Sequence, residues 1–188
     1  MNATPLLKSA RRYTLAVVFG GAALLAACGG GPDASQSPTG GSVHGSREKS
    51  YDSLTELWAD SGAVVEVMAQ DSKIIYLGNR GSEVPFTATT AKVESVVASK
   101  VDRVPSSIVV RQLGTTDTPN DHGPPILQRG SRYLLYVSSA DGTTVTDWYV
   151  TGAGAGAFAF GAEGATRLDP ESPSLPAEST TAEVEAST

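Results

Sequence analysis

The sequence predicts a mainly β domain, a small antiparallel barrel or sandwich preceded by one short helix, within residues 51–167. Three observations carry this. Short runs rich in Val, Ile, Thr and aromatic residues recur along this stretch: AVVEVMA, KIIYL, FTATTAKVESVVA, SSIVVRQL, RYLLYVS, TVTDWYV and GAFAFG. They are separated at turn-like spacing by Gly-, Pro-, Asn- and Asp-containing segments. Helical periodicity appears only once, at the start.

The helix is placed at Ser53-Leu54-Thr55-Glu56, a capping-box pattern. Leu54, Leu57 and Trp58 fall on one face, and Gly62 is expected to end it. AVVEVMA and KIIYL are then two strands joined at Gln70-Asp71-Ser72. In the long run that follows, apolar residues stand at Phe86 and Ala88, then at Ala91 and Val93. A period of two changes parity only across an extra residue, so a β-bulge is expected near Thr89-Thr90. A bent, bulged strand can serve both halves of a closing barrel, which favours the barrel. Gly152-x-Gly154-x-Gly156 lies before the β-like AFAFG rather than before a helix, so it is expected to be a glycine-rich hairpin and not a phosphate loop.

Both flanks of the domain are expected to be disordered. Residues 28–50 form a tether in which GGGPDASQSPTGGSVHGSREKS offers almost no apolar side chain. Residues 168–188 hold five acids, three prolines and no base, an acidic tail.

Residues 1–27 have the organisation of an export signal. Lys8, Arg11 and Arg12 supply a basic start, YTLAVVFGGAALLAA an apolar run, and Ala26-Ala27 small residues before Cys28. The run is short for a spanning helix, which needs roughly 20 apolar residues, and Gly20-Gly21 weakens its centre. A permanent transmembrane helix and an ordinary secreted protein cut before Cys28 are the alternatives. Leu25-Ala26-Ala27-Cys28 resembles the lipobox of bacterial lipoproteins. The resemblance implies a diacylglycerol on the Cys28 thiol and cleavage just before it. It also implies a lipid-anchored protein on the outer, non-cytoplasmic side of the cell membrane. One acyl chain gives marginal membrane binding, while the two of a diacylglycerol give stable anchoring.

Loss of residues 1–27 removes three of the 14 basic residues. Eleven remain against 20 acids, a net charge of −9. Such a surface repels phosphates, so no nucleic-acid partner is expected. Cys28 is the only cysteine, so the domain has no disulfide framework and depends on its core.

Four segments of the domain, SLTELWADSGAVVEVMA, VPFTATTAKVESVVA, SSIVVRQLG and LQRGSRYLLYVS, resemble exported OB-like barrels of the netrin and TIMP N-terminal type. The resemblance implies the barrel fold alone. The paired cysteines of the animal modules are absent, and Ser99-Lys100 stands where a glycine is usual. Many functions share this architecture.

Residues for catalysis are scarce. His44 lies in the tether. His122 lies in GTTDTPNDHGPP, with no G-x-S-x-G segment to supply a nucleophile. Asp117, Asn120, Asp121 and His122 match no EF-hand spacing. Trp148 and Tyr149 are adjacent on a strand and must point to opposite faces, one inward and one outward. The expectation is a non-catalytic binding or structural module with lipid attachment at Cys28. No metal, cofactor or catalytic residue is expected, and an envelope protein or a small ligand is the expected partner. Two alternatives stand beside it. One is an envelope hydrolase using the 117–122 loop. The other is an accessory or chaperone subunit of an exported complex, which an exposed apolar strand edge would favour.

Overall fold

A ring of β-strands that alternate in direction closes without conflict only when their number is even. Here the ring has five. The computed structural model describes residues 49–121, 123–139, 146–161 and 164–188. After helix α1 (Leu54–Ala59) come β1 (Ala63–Leu77), β2 (Val84–Ser99), β3 (Ser107–Leu113), β4 (Arg132–Ser139) and β5 (Asp147–Val150). β1 pairs with both β2 and β4, and the order β1-β2-β3-β5-β4 returns to β1. Four junctions are antiparallel; the fifth, β3 against β5, is parallel. The expected OB-like barrel is present, but with five strands one parallel pair is unavoidable, so it is not wholly antiparallel.

The chain then turns at Thr151–Gly154 and continues as β6 (Ala157–Phe160), β7 (Ala165–Arg167), β8 (Glu178–Ser179) and helix α2 (Thr181–Ser187). The glycine-rich segment is not a hairpin. β5 and β6 do not pair with each other; both run along β4, at Val137–Ser139 and at Tyr133–Leu135. The turn thus splits one strand line in two. β5 goes to the ring, and β6 leads β7 and β8 away from it.

This split gives two cores. Val65, Val67, Val110, Leu135, Val137 and Trp148 fill the barrel. Alternate residues of the same strands, Val64, Leu134 and Tyr136, point outward and meet Leu54 and Leu57 of α1, Phe158 of β6 and Val184 of α2. Burial on both faces explains why YLLYV, residues 133–137, is a continuous apolar run rather than an alternating one.

Several expectations about local structure are corrected. Gln70-Asp71 is not a turn. β1 runs through it, and these two residues oppose the single Thr90 as a bulge. The bulge expected on β2 is therefore at the right level but on the partner strand. β2 itself is regular against β3 from Phe86 to Lys92, and its own extra residues are Glu94 and Val97. The parity argument failed because Ala88 is buried on the outer face while Ala91 is buried on the inner one. Of the expected capping box one half is present, Glu56 N donating to Ser53 Oγ at 3.2 Å, while the Glu56 carboxylate accepts from Asp52 N at 3.0 Å. The helix ends at Asp60, before Gly62. Lys100 closes its C-terminus by donating to the carbonyl oxygens of Trp58 and Ala59, and lies over the Trp58 ring.

The expected disordered tail over 168–188 is instead part of the fold. Its few apolar residues are the reason. Leu175 and Val184 are buried against the outer face of β4, which would otherwise be exposed. Arg167 donates to the carbonyl oxygens of Asp169 and Leu175, and Ser172 donates to buried Asp169 at 2.8 Å. Thr180 and Glu183 form a capping box for α2. Thr181 Oγ1 donates to Glu66 Oε1 on β1 at 2.7 Å. The expected signal segment, Cys28 and the expected tether as far as residue 48 lie outside the described residues. Lys49, expected to end the tether, already pairs with Asp60 at 2.9 Å and Glu56 at 3.3 Å.

Two predictions follow from this second core. Val184→Ala should destabilise the protein by about 2 kcal/mol through lost burial and a residual cavity. Urea unfolding should show a lower midpoint with an unchanged slope; an unchanged midpoint would mean that the tail contributes no core. Tyr51 is the second case. Burial, then its hydrogen bond to Asp60, pushes the phenol from its ordinary 10 up to about 12. The folded state holds this proton more tightly than the unfolded state. Its contribution is therefore complete below pH 10 and is lost as pH rises through about 12. Tyr51→Phe should flatten the fall in stability over that interval, measured by urea midpoints at successive pH values.

Candidate functional site

The register of the barrel gathers one set of side chains on the outer face of β2, β3 and β5. Phe86 stands opposite Leu113, and Arg111 is level with Tyr149. Directly paired residues share a face, so these four project together, while Trp148 points inward and is fully buried. The adjacent aromatics thus divide between core and surface as alternation requires.

Between these side chains lies a cleft of about 300 Å³. Phe86 and Tyr149 meet edge to face, with ring centroids 6.2 Å apart. Asn120 and Pro124 from the β3–β4 connection form one wall, and Ala153 from the turn after β5 forms another. The lining is mainly apolar with a few polar groups, the composition usual for small-molecule sites.

Arg111 is the charged group of the cleft. Its Nη2 donates to Asp147 Oδ2 at 2.7 Å, and both side chains are partly buried. The Tyr149 hydroxyl first, and Asp147 after it, hold the guanidinium pKa above its ordinary value despite the opposing effect of burial. The Arg111 Nε is buried without a hydrogen-bond partner. The pair is neutral overall, so the cleft offers a charged guanidinium whose counter-charge is already supplied by the protein. No protein-family model matches the chain, and no curated protein matches it in sequence.

The turn beside the cleft holds unusual backbone. Gly152 and Ala153 both have positive φ, 67° and 56°. Ala153 is the only non-glycine residue with this conformation among the described residues. The glycines around it are fixed by close packing: a Cβ at Gly152, Gly154 or Gly156 would collide with Tyr51, Pro124 or Tyr136 respectively. Ser61 Oγ joins the start of the turn to α1, 3.0 Å from Thr151 Oγ1.

Of the loop residues singled out from the sequence, Asn120 and Asp117 line different concavities: Asn120 faces the cleft, whereas Asp117 lines a separate groove beside β1. Among the described residues no group of three His, Cys, Asp or Glu side chains could hold a metal ion. Cys28, His44 and His122 lie outside the described residues. Phe86 and Arg111 were not anticipated from the sequence. The signal for Arg111 was present: in IVVRQL it alternates with Val110 and Gln112, so a barrel strand had to place it outward.

Ala153→Gly should stabilise the protein by about 1 kcal/mol, because an alanine at positive φ is strained where glycine is not. The measurement is the urea midpoint. A loss of stability would show that the Ala153 methyl contributes more as a wall of the cleft than its backbone costs.

Proposed function

We propose that this chain is a non-catalytic binding module, held on the outer side of the cell membrane by a lipid on Cys28. Its ligand would be a small, largely apolar molecule with one hydrogen-bonding group. The observation that supports binding is the cleft formed by Phe86, Leu113, Arg111 and Tyr149, with its own Arg–Asp pair. The anchoring rests on the sequence Leu25-Ala26-Ala27-Cys28 after a basic and an apolar segment. Among the described residues no helix is long and apolar enough to cross a membrane.

Two measurements test the two halves separately. Cys28→Ser should leave an uncut precursor that incorporates no labelled lipid; an unmodified thiol on the native protein would remove the anchor. For the cleft, the probe is anilinonaphthalene sulfonate, an aromatic body with one polar head. The full chain should bind it at one saturable site, and Tyr149→Ala should weaken that binding about tenfold. An equal response in Tyr149→Ala would take the cleft out of the function. Ester hydrolysis by the full chain that His122→Ala abolishes would replace this reading with the hydrolase.

A further inference from the structure

The second half of β1 has a partner on one side only. β4 pairs with β1 from Ala63 to Met68, and Gly130 and Ser131 continue the contact to Ala69. There the chain turns aside at Gly130, whose φ is 79°. From Ser72 to Leu77, β1 pairs with β2 alone among the described residues.

The ladder settles which backbone groups are left over. In β2, Pro85 O accepts from Gly114 N and Val93 N donates to Ser106 O, so odd-numbered residues of this stretch bond to β3. The even-numbered Val84, Phe86 and Ala88 therefore bond to their partners Leu77, Ile75 and Lys73 on β1. Ser72, Ile74 and Tyr76 consequently turn their N–H and C=O groups to the open side. The bulge at Gln70-Asp71 produces this change of parity, since Ala69 still faces β4.

The side chains agree with the backbone. Ile74 and Tyr76 are 52% and 66% exposed, and with Val96 they are the large apolar residues most open to solvent among the described residues. Edge strands are commonly protected by proline, bulges or charge, lysine above all; Ser72–Leu77 carries only the exposed Lys73, whose backbone bonds to β2, and the bulge at Gln70-Asp71 lies before it rather than within it. Beside this edge lies a groove of about 430 Å³, closed on its far side by Thr115, Thr116, Ile126 and Gln128 of the β3–β4 connection. It begins where the contact of Gly130 and Ser131 with Ala69 ends, beyond β4.

We propose that the Ser72–Tyr76 edge accepts an extended segment of a partner polypeptide, which adds a strand to the barrel in line with β4. Main-chain hydrogen bonds to Ser72, Ile74 and Tyr76 would provide affinity, and the apolar Ile74 and Tyr76 with the hydroxyl-lined wall would select side chains. This stands independently of the cleft and favours the accessory-subunit reading for this face.

The test selects peptides from a phage-displayed random library on the full chain and measures their binding by fluorescence anisotropy. Ile74→Pro removes an outward N–H but no bond to β2, so it should weaken the selected peptides about tenfold while leaving the circular dichroism unchanged. Peptides methylated on single backbone nitrogens provide a reading that needs no protein variant: affinity should fall at every second position, the signature of strand pairing. Failure to select any peptide, or uniform tolerance of N-methylation, would overturn the proposal. So would peptide-independent dimerisation of the full chain that Ile74→Pro abolishes, because the occupant would then be a second copy.

Discussion

Closure of the ring depends on one short parallel seam. β3 and β5 meet over only three residue pairs, Val109 with Asp147, Val110 with Trp148 and Arg111 with Tyr149. Without it the five strands are an open sheet, and Trp148 loses the interior it fills. The seam is reinforced from both faces. Inside, Trp148 and Val110 are fully buried. Outside, the Arg111–Asp147 pair crosses from β3 to β5. Arg111 also lines the cleft, so the charged group offered to a ligand fastens the barrel as well. A parallel junction cannot be made by a hairpin, which is why a long connection and all of β4 intervene between β3 and β5.

The outer face of β1 and β4 imposes the second requirement. Because Leu134 and Tyr136 alternate with Leu135 and Val137, burying one set inside the barrel points the other outward. α1, β6 and the C-terminal segment supply the cover. The tail is thus attached by composition that is sparse but well placed: its aliphatic residues Leu175 and Val184 are buried, and its acids largely remain in water. Overall acidity and proline content conceal this, since they average over residues whose burial is decided one at a time.

How much of this was legible in the sequence differs by feature. The strands were, because β-branched runs between turn residues survive tertiary context. The division of Trp148 and Tyr149 was also legible, since alternation on a strand is geometric. Gln70-Asp71-Ser72 was misread because a bulge and a turn favour the same polar residues. α2 was announced by Thr180-Thr181-Ala182-Glu183, the same capping pattern that located α1, but the acidic surroundings outweighed it. The cleft was not legible as a site: Phe86, Arg111 and Tyr149 come from three strands, and only the register assembles them. The open edge depends on a parity change that no composition records.

β1 has a further property that follows from its length. Fifteen residues at about 3.3 Å each make a strand on the order of 50 Å long. Its first residue is beside α1, where the described chain begins, and its last leads to the hairpin at the opposite end. Its hydrogen bonds to β2 and β4 lie across the strand axis. A pull on β1 along its axis, resisted by β2 and β4, therefore loads these bonds together in shear rather than opening them one after another from an end. Traction applied at the open edge would pass along β1, through the barrel wall, to the end beside α1.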